Sequence, residues 1–180
     1  TDRTREIVRE IGARDPRVKL LDNPGMIVPT AMNVGIRAAH GDIIVRIDGH
    51  CRIPRDYIAS VLKAFGESGA ACVGGAMIAE GEGYWGEVIA GATSSAFGMG
   101  GVRFHGHGQP RYMDTVYLGA YPRQVLLDAG LYDEEFVRNQ DDELNSRIRA
   151  LGGKVYFTSR IWAAYTCRST LGKLASQYFQ

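Results

Sequence analysis

Two short stretches of this chain carry residue types that could do chemistry at close spacing. In Asp48-Gly49-His50 a carboxylate and an imidazole stand one residue apart, directly after the apolar run Ile43 to Ile47. Alternate residues at a strand end can face the same way, and open α/β sheets form their ligand crevice at the carboxyl ends of strands. An oxygen and a nitrogen donor so placed suit a divalent cation that also holds diphosphate oxygens, and the nitrogen favours manganese over magnesium. The competing reading is a polar turn that ends a strand.

The second stretch is Asn139-Gln140-Asp141-Asp142-Glu143, a set of acids where a helix should begin. Free N–H groups and the helix dipole favour negative charge there, so capping explains such a cluster by itself. A general base for a hydroxyl needs a carboxylate beside an aqueous cleft, and crowding by neighbouring acids can raise the pKa of one of them. Further candidates carry less information. His105 and His107 lie with Arg103 and Arg111 around a glycine-rich stretch from Gly98 to Gln109, which reads as a loop that could close over phosphates or simply as a solvated loop. His40 reads as a polar residue at a helix end. Trp85 and Trp162 could stack on a sugar ring, although aromatics among small apolar residues more often join a core.

The elements that must position these groups follow from periodicity. Ile7, Val8 and Ile11 have helical spacing, and Gly12 with Asp15-Pro16 stops that helix before a strand-like run from Val18 to Leu21. A small-residue helix is expected from about Thr30 to Ala39, then a buried strand from Ile43 to Ile47. Tyr57, Ile58, Val61, Leu62 and Phe65 mark an amphipathic helix that leads to a strand from Ala71 to Met77. Tyr117 to Tyr121 reads as a strand, Val125 to Ala129 as a short helix, and Asp141 to Leu151 as a helix closed by Gly152-Gly153. Lys154 to Thr158 and Ile161 to Thr166 read as two strands, and Thr170 to Phe179 as the start of a helix. Strands alternating with helices argue for a parallel α/β sheet.

Bulk properties narrow the functional classes. The 180 residues, 45% of them hydrophobic, suffice for one core and one domain. With 21 basic and 20 acidic residues and a formal charge of +1, nothing marks a nucleic-acid-binding face. Cys51, Cys72 and Cys167 have neither disulfide-framework nor zinc-finger spacing, which fits a reducing, cytoplasmic setting. No apolar run approaches the roughly 20 residues of a membrane-spanning helix.

Read in order, the motifs resemble the family 2 glycosyltransferases over nearly the whole chain. Thr1-Asp2-Arg3-Thr4 is similar to the end of the family's D-G-S-T-D-x-T turn, so the first nucleotide-binding strand is expected upstream and residues 1–180 form a partial catalytic domain. Asn23-Pro24-Gly25, then Ala31-Met32-Asn33-Val34-Gly35, Ala38 and Gly41-Asp42-Ile43-Ile44, resemble the N-x-G, A-x-N-x-G and A-x-G-D-I-I segment. Asp48-Gly49-His50 then stands in place of the D-x-D metal motif, and a D-x-H version occurs among related manganese-using transferases. Gly119-Ala120-Tyr121 with Arg123, and Gly130 to Phe136, resemble G-A-x-x-x-R and G-x-F-D-E-x-F. Asn139 to Arg147 is similar to G-E-D-x-D-L-x-x-R, with Gln140 for the usual glutamate and Glu143 for the later aspartate. Arg168 and Gln177 resemble positions after the last strands.

The resemblance implies a GT-A fold, the nucleotide-diphospho-sugar transferase type, with a Rossmann-like mixed sheet flanked by helices. It implies an inverting, metal-dependent transfer from a nucleotide-sugar donor, UDP by family default, to a glycan or lipid-linked acceptor. Asp141 takes the place of the acceptor-activating base, with Asp142 the competing choice. Asp2, Asn33, Asp48 and Arg123 are implied in nucleotide-sugar binding, and Asp48 and His50 in holding a divalent cation, manganese ahead of magnesium. The narrower likeness is to bacterial enzymes that assemble succinoglycan-type exopolysaccharide, which suggests the inner face of the plasma membrane, reached through parts of a longer chain. The rival readings are a sugar-phosphate nucleotidyltransferase, for which no glycine-rich phosphate loop is visible, and a non-catalytic nucleotide- or glycan-binding module. A dinucleotide-dependent oxidoreductase is disfavoured, since no G-x-G-x-x-G follows a strand.

Overall fold

The computed structural model describes residues 2–94, 108–167, 170 and 172. In chain order the elements are α1 (Thr4–Arg14), α2 (Val28–Ala38), β1 (Ile43–Val45), β2 (Cys51–Arg52), α3 (Tyr57–Ser68), β3 (Cys72–Glu80), α4 (Gly83–Ser94), β4 (Arg111–Met113), β5 (Tyr117–Pro122), α5 (Arg123–Asp128), α6 (Gln140–Ala150) and β6 (Val155–Thr166).

The helices form where apolar residues recur at helical spacing and stop at backbone breakers. Pro29 sits in the first turn of α2, and Pro29, Asn33 and Ile36 face inward at steps of four and three. In α3 the buried set is Tyr57, Val61 and Ala64, and the helix closes on Gly69 with a left-handed φ of 58°. Leu144, Asn145 and Ile148 bury one face of α6.

The strands form one sheet ordered β1-β5-β3-β6-β2, with β4 also paired to β6. The expectation of a parallel sheet fails in detail. Among the described strands only β3 and β6 pair in parallel, while β5 lies antiparallel between β1 and β3. Alternation of strands with helices reports the common direction of β1, β3 and β6, but it cannot reveal a later strand inserted between two of them. The two expected strands after Gly153 are one, β6, whose register against β3 shifts between Gly74 and Ala76. The run from Val18 to Leu21 joins no strand pair among the described residues, and Ile7 and Ile11 of α1 are 47% and 46% exposed.

Successive strand residues feed opposite faces. Cys72, Tyr121, Val155 and Phe157 pack with Ile36, Leu126, Leu144 and Ile148. Val73, Ala120 and Ile161 pack on the other side with Tyr57, Val61 and Ala64 of α3. The period-two alternation of β3, β5 and β6 thus gives the sheet two apolar faces, each covered by helices. A smaller cluster of Ile89, Ala90 and Cys167 seats α4. The Thr170 to Phe179 helix lies outside the described residues except at two positions.

Candidate active site

β1 points its carboxyl end toward Arg46, Ile47 and Asp48, and the chain then turns. The Cys51 N–H donates to the Asp48 carbonyl at 3.0 Å, so residues 48–51 form a tight turn before β2 pairs with the end of β6. This turn gathers Asp48, His50 and Cys51, whose potential ligand atoms all lie within 4.8 Å of one another. His50 is exposed and meets the Tyr165 ring edge to face at 5.0 Å. Cys51 Sγ lies 2.9 Å from the Tyr117 hydroxyl. A carboxylate, an imidazole and a thiol gathered this closely could hold a divalent cation, and the nitrogen and sulfur suit a transition metal better than magnesium.

The second half of the site comes from the far end of the chain. Asn139 adopts a left-handed φ of 55° immediately before α6, a conformation that asparagine tolerates better than most residues. That bend starts α6 so that Asp141 approaches β1. Arg46 joins the two halves: its Nη1 donates to both Asp141 oxygens at 2.8 Å and its Nε to Asp48 Oδ1 at 2.8 Å. Nη2 reaches Asp48 Oδ2 at 3.4 Å. The Tyr132 hydroxyl donates to Asp141 Oδ1 at 3.2 Å. Around these groups lies a cavity of about 240 Å³, walled by Arg46 and Asp48, by residues 115–118 and by residues 139–142. Leu118, in that wall, is buried with a φ of 46°, a strained backbone of the kind that clusters at functional sites.

Burial decides the electrostatics. It pushes the Asp141 carboxyl above its ordinary value, with the Arg46 guanidinium and the Tyr132 hydroxyl pulling the other way. Burial opposes the Arg46 charge as well, but Asp141 and Asp48 together hold the guanidinium firmly protonated. Burial, then the negative charge of Asp141, raises the Tyr132 phenol well above its usual range, so it remains a donor.

The structure sorts the residues singled out by sequence. Asp48, Asp141 and Asp142 line one cavity, with Asp142 exposed, and His50 shares the turn with Asp48. Glu143 is bound to Arg147, which also donates to the carbonyls of Ala129 and Leu131, so this pair braces α6 instead of lining the cavity.

Three residues expected in nucleotide-sugar binding do not line this cavity. Asn33 is 2% exposed, with its amide donating to the Tyr132 carbonyl and Glu134 and its carbonyl oxygen accepting the Tyr132 N–H. This side chain is fully used in fastening α2 to the segment before α6. Arg123 begins α5, with its N–H on the Asp42 carbonyl at 2.7 Å, at the start of β1. Asp48 is six residues beyond Asp42, roughly 20 Å for extended chain, so Arg123 stands at the opposite end of β1. Asp2 is exposed, accepts the Thr4 N–H at the head of α1, and does not line the cavity.

Among the minor candidates, Arg111 belongs to β4 and not to a loop, with its guanidinium 5.0 Å over the Phe157 ring. Trp85 is 46% exposed and Trp162 packs partly buried against the core. His40 is exposed beyond α2. Arg103, His105, His107, Arg168 and Gln177 lie outside the described residues. Sequence reasoning missed Arg46, Cys51, Tyr117 and Tyr132. Arg46 had a usable signal, because Arg46-x-Asp48-x-His50 continues the strand period of two.

Comparison with known proteins gives the chain a family and a fold. Residues 1–112 match the family described as Glycosyl transferase family 2. The chain is 32% identical over 181 residues to the succinoglycan biosynthesis protein ExoA of Rhizobium meliloti (strain 1021), covering 99% of this chain and 55% of that protein. It is 25% identical over 185 residues to the dolichyl N-acetyl-alpha-D-glucosaminyl phosphate 3-beta-D-2,3-diacetamido-2,3-dideoxy-beta-D-glucuronosyltransferase of Methanococcus voltae, covering 98% and 57% respectively. The chain therefore spans little more than half the length of either relative.

Solved structures share the fold at 16% identity. The Pyrobaculum calidifontis mannosyltransferase PcManGT, in complex with GDP-Man and Mn2+, superposes with a TM-score of 0.63 over 92% of this chain and 45% of its own. GalNAc-T7, with UDP, GalNAc and Mn2+, gives 0.66 over 92% and 35%. The mixed sheet flanked by helices is the GT-A fold.

Proposed function

Because this chain belongs to glycosyltransferase family 2, we propose that it holds the donor site and general base of an inverting transferase. The donor is a sugar carried on a nucleoside diphosphate, UDP in the first instance, and the acceptor is a hydroxyl of a glycan or a lipid-linked sugar. The observation that carries this reading is the meeting of two distant motifs at one cavity, where Arg46 reaches both Asp48 and, 95 residues along the chain, Asp141. The relatives' names, one a succinoglycan biosynthesis protein and one a lipid-linked sugar transferase, support polysaccharide assembly as the setting. A nucleotide-sugar donor argues for the cytoplasmic face of the membrane.

In this reading Asp141 accepts the proton of the acceptor hydroxyl as that oxygen attacks the anomeric carbon. The bond from that carbon to the diphosphate oxygen breaks on the opposite face, and the configuration inverts. The raised pKa of Asp141 suits this work, since a carboxylate is a better base when its proton affinity approaches the working pH. Tyr132 and Arg46 orient the carboxylate, and Oδ2, which accepts from Arg46 alone, keeps acceptor capacity for the hydroxyl. A divalent cation held by Asp48 and His50, with Cys51 in reach, would neutralise charge on the departing diphosphate. Manganese fits this donor set better than magnesium.

Calorimetric titration of UDP into the chain, with and without Mn2+, tests the donor site. Metal-dependent binding should appear in the wild type and vanish in Asp48→Ala. Asp141→Asn should abolish transfer while retaining donor binding, and Asp142→Asn should keep most of it. Loss of transfer only in Asp142→Asn would move the base to the neighbouring acid, and loss of donor binding in a folded Asp141→Asn would refute the base role.

A further inference from the structure

Arg46 does more than pack between the two acids. Its side chain is only 12% exposed, and it occupies oxygens of the same Asp48 carboxylate that a cation would need. A buried guanidinium beside an incoming dication places two cationic groups on one carboxylate, with little water to screen them. We propose that Arg46 makes cation binding at Asp48 conditional on a nucleoside diphosphate. The inference rests on the reading of Asp48 and His50 as cation ligands.

The argument is one of charge and geometry. Arg46 already neutralises one of the two carboxylates it bonds, so a lone dication would leave Arg46, Asp48 and Asp141 together positive, with only the exposed Asp142 at the cavity to offset it. A nucleoside diphosphate, free or carrying its sugar, brings negative charge on both phosphates and oxygens that match the planar donor fork of arginine. Of the four contacts Arg46 makes to these acids, Nη2 to Asp48 Oδ2 is the longest at 3.4 Å. That edge can turn to a phosphate oxygen while Nη1 keeps Asp141. Cation and donor then enter together, and the cation leaves with the product diphosphate instead of staying on an idle enzyme.

The test is Mn2+ binding to the chain, read from the paramagnetic resonance of free Mn2+, alone and with UDP or GDP against protein-free blanks. The wild type should bind Mn2+ at least tenfold tighter with a nucleoside diphosphate. Arg46→Gln should bind Mn2+ alone at least tenfold tighter than the wild type, while Arg46→Lys, which keeps the charge, should resemble the wild type. If Arg46→Gln does not fold, the double variant Arg46→Gln/Asp141→Asn removes the carboxylate left unpaired and carries the same comparison.

Arg46→Gln binding Mn2+ no tighter, or Arg46→Lys binding as tightly as Arg46→Gln, would overturn the proposal. So would a wild type indifferent to nucleotide. Failure of the underlying cation site looks different: no Mn2+ binds to any variant under any condition, or Asp48→Ala binds as the wild type does.

Discussion

The Asp141 carboxyl sits between opposing influences, and pH separates them. Burial raises its pKa above the 3.8 of an unperturbed aspartate, with Arg46 acting in the opposite direction. Since the folded value lies above the unfolded one, the folded chain binds this proton more tightly. The stability this confers is therefore complete below the unfolded value and is lost as pH rises through the folded value. Thermal melts across the acid range should show the wild type losing stability relative to Asp141→Asn as pH rises. The opposite slope would mean that the guanidinium outweighs burial. Residue types and spacing alone left this residue one of several adjacent acids, and the family resemblance put it ahead of Asp142; what each of Asp141, Asp142 and Glu143 meets across the fold is a tertiary matter. Arg46 and Tyr132 meet Asp141, Arg147 meets Glu143, and Asp142 remains exposed at the cavity.

At the scale of elements, α2 and α6 are held in register by side chains that resemble ligand-binding residues in sequence. Asn33 closes a two-way bracket on the Tyr132 backbone, and Tyr132 in turn bonds Asp141. A buried amide that satisfies both backbone groups of one residue costs stability when removed, because the partner groups are left without bonds. Asn33→Ala should therefore lose about 1–3 kcal/mol in chemical denaturation. In the fraction that remains folded, UDP affinity should be unchanged, whereas a residue that touches the nucleotide would lose affinity. A motif position shows that a residue type is required there, but its spacing does not say whether the reason is a ligand or a neighbouring backbone.

For the molecule as a whole, the central strand β3 lies between β6 and β5, and the start of β5 helps to wall the cavity. Gly75 sits where the register of β3 changes against both neighbours, and an added Cβ would lie 1.8 Å from the Ile161 carbonyl oxygen. That oxygen is backbone and cannot swing aside. Gly75→Ala should force β3 and β6 apart and cost about 3 kcal/mol or more, read as a lowered denaturation midpoint or as loss of soluble protein. A near-neutral effect would mean that the contact between these two strands relaxes easily.

Local pattern determined α3, β3, β5 and α6 to within a few residues, and the Asp48 turn at the end of β1, because helical and strand periods and turn residues act over a few positions. It also carried the family, since the motifs from Asn23 to Arg147 are themselves local strings. Only the tertiary structure decided that β5 inserts antiparallel beside β1 and that Arg123 stands at the far end of β1 from Asp48. It alone showed Arg46 spanning the two acids. Strand order and the pairing of charges across 95 residues arise from burial and hydrogen bonding between distant segments, and nothing in the spacing along the chain encodes which segments meet.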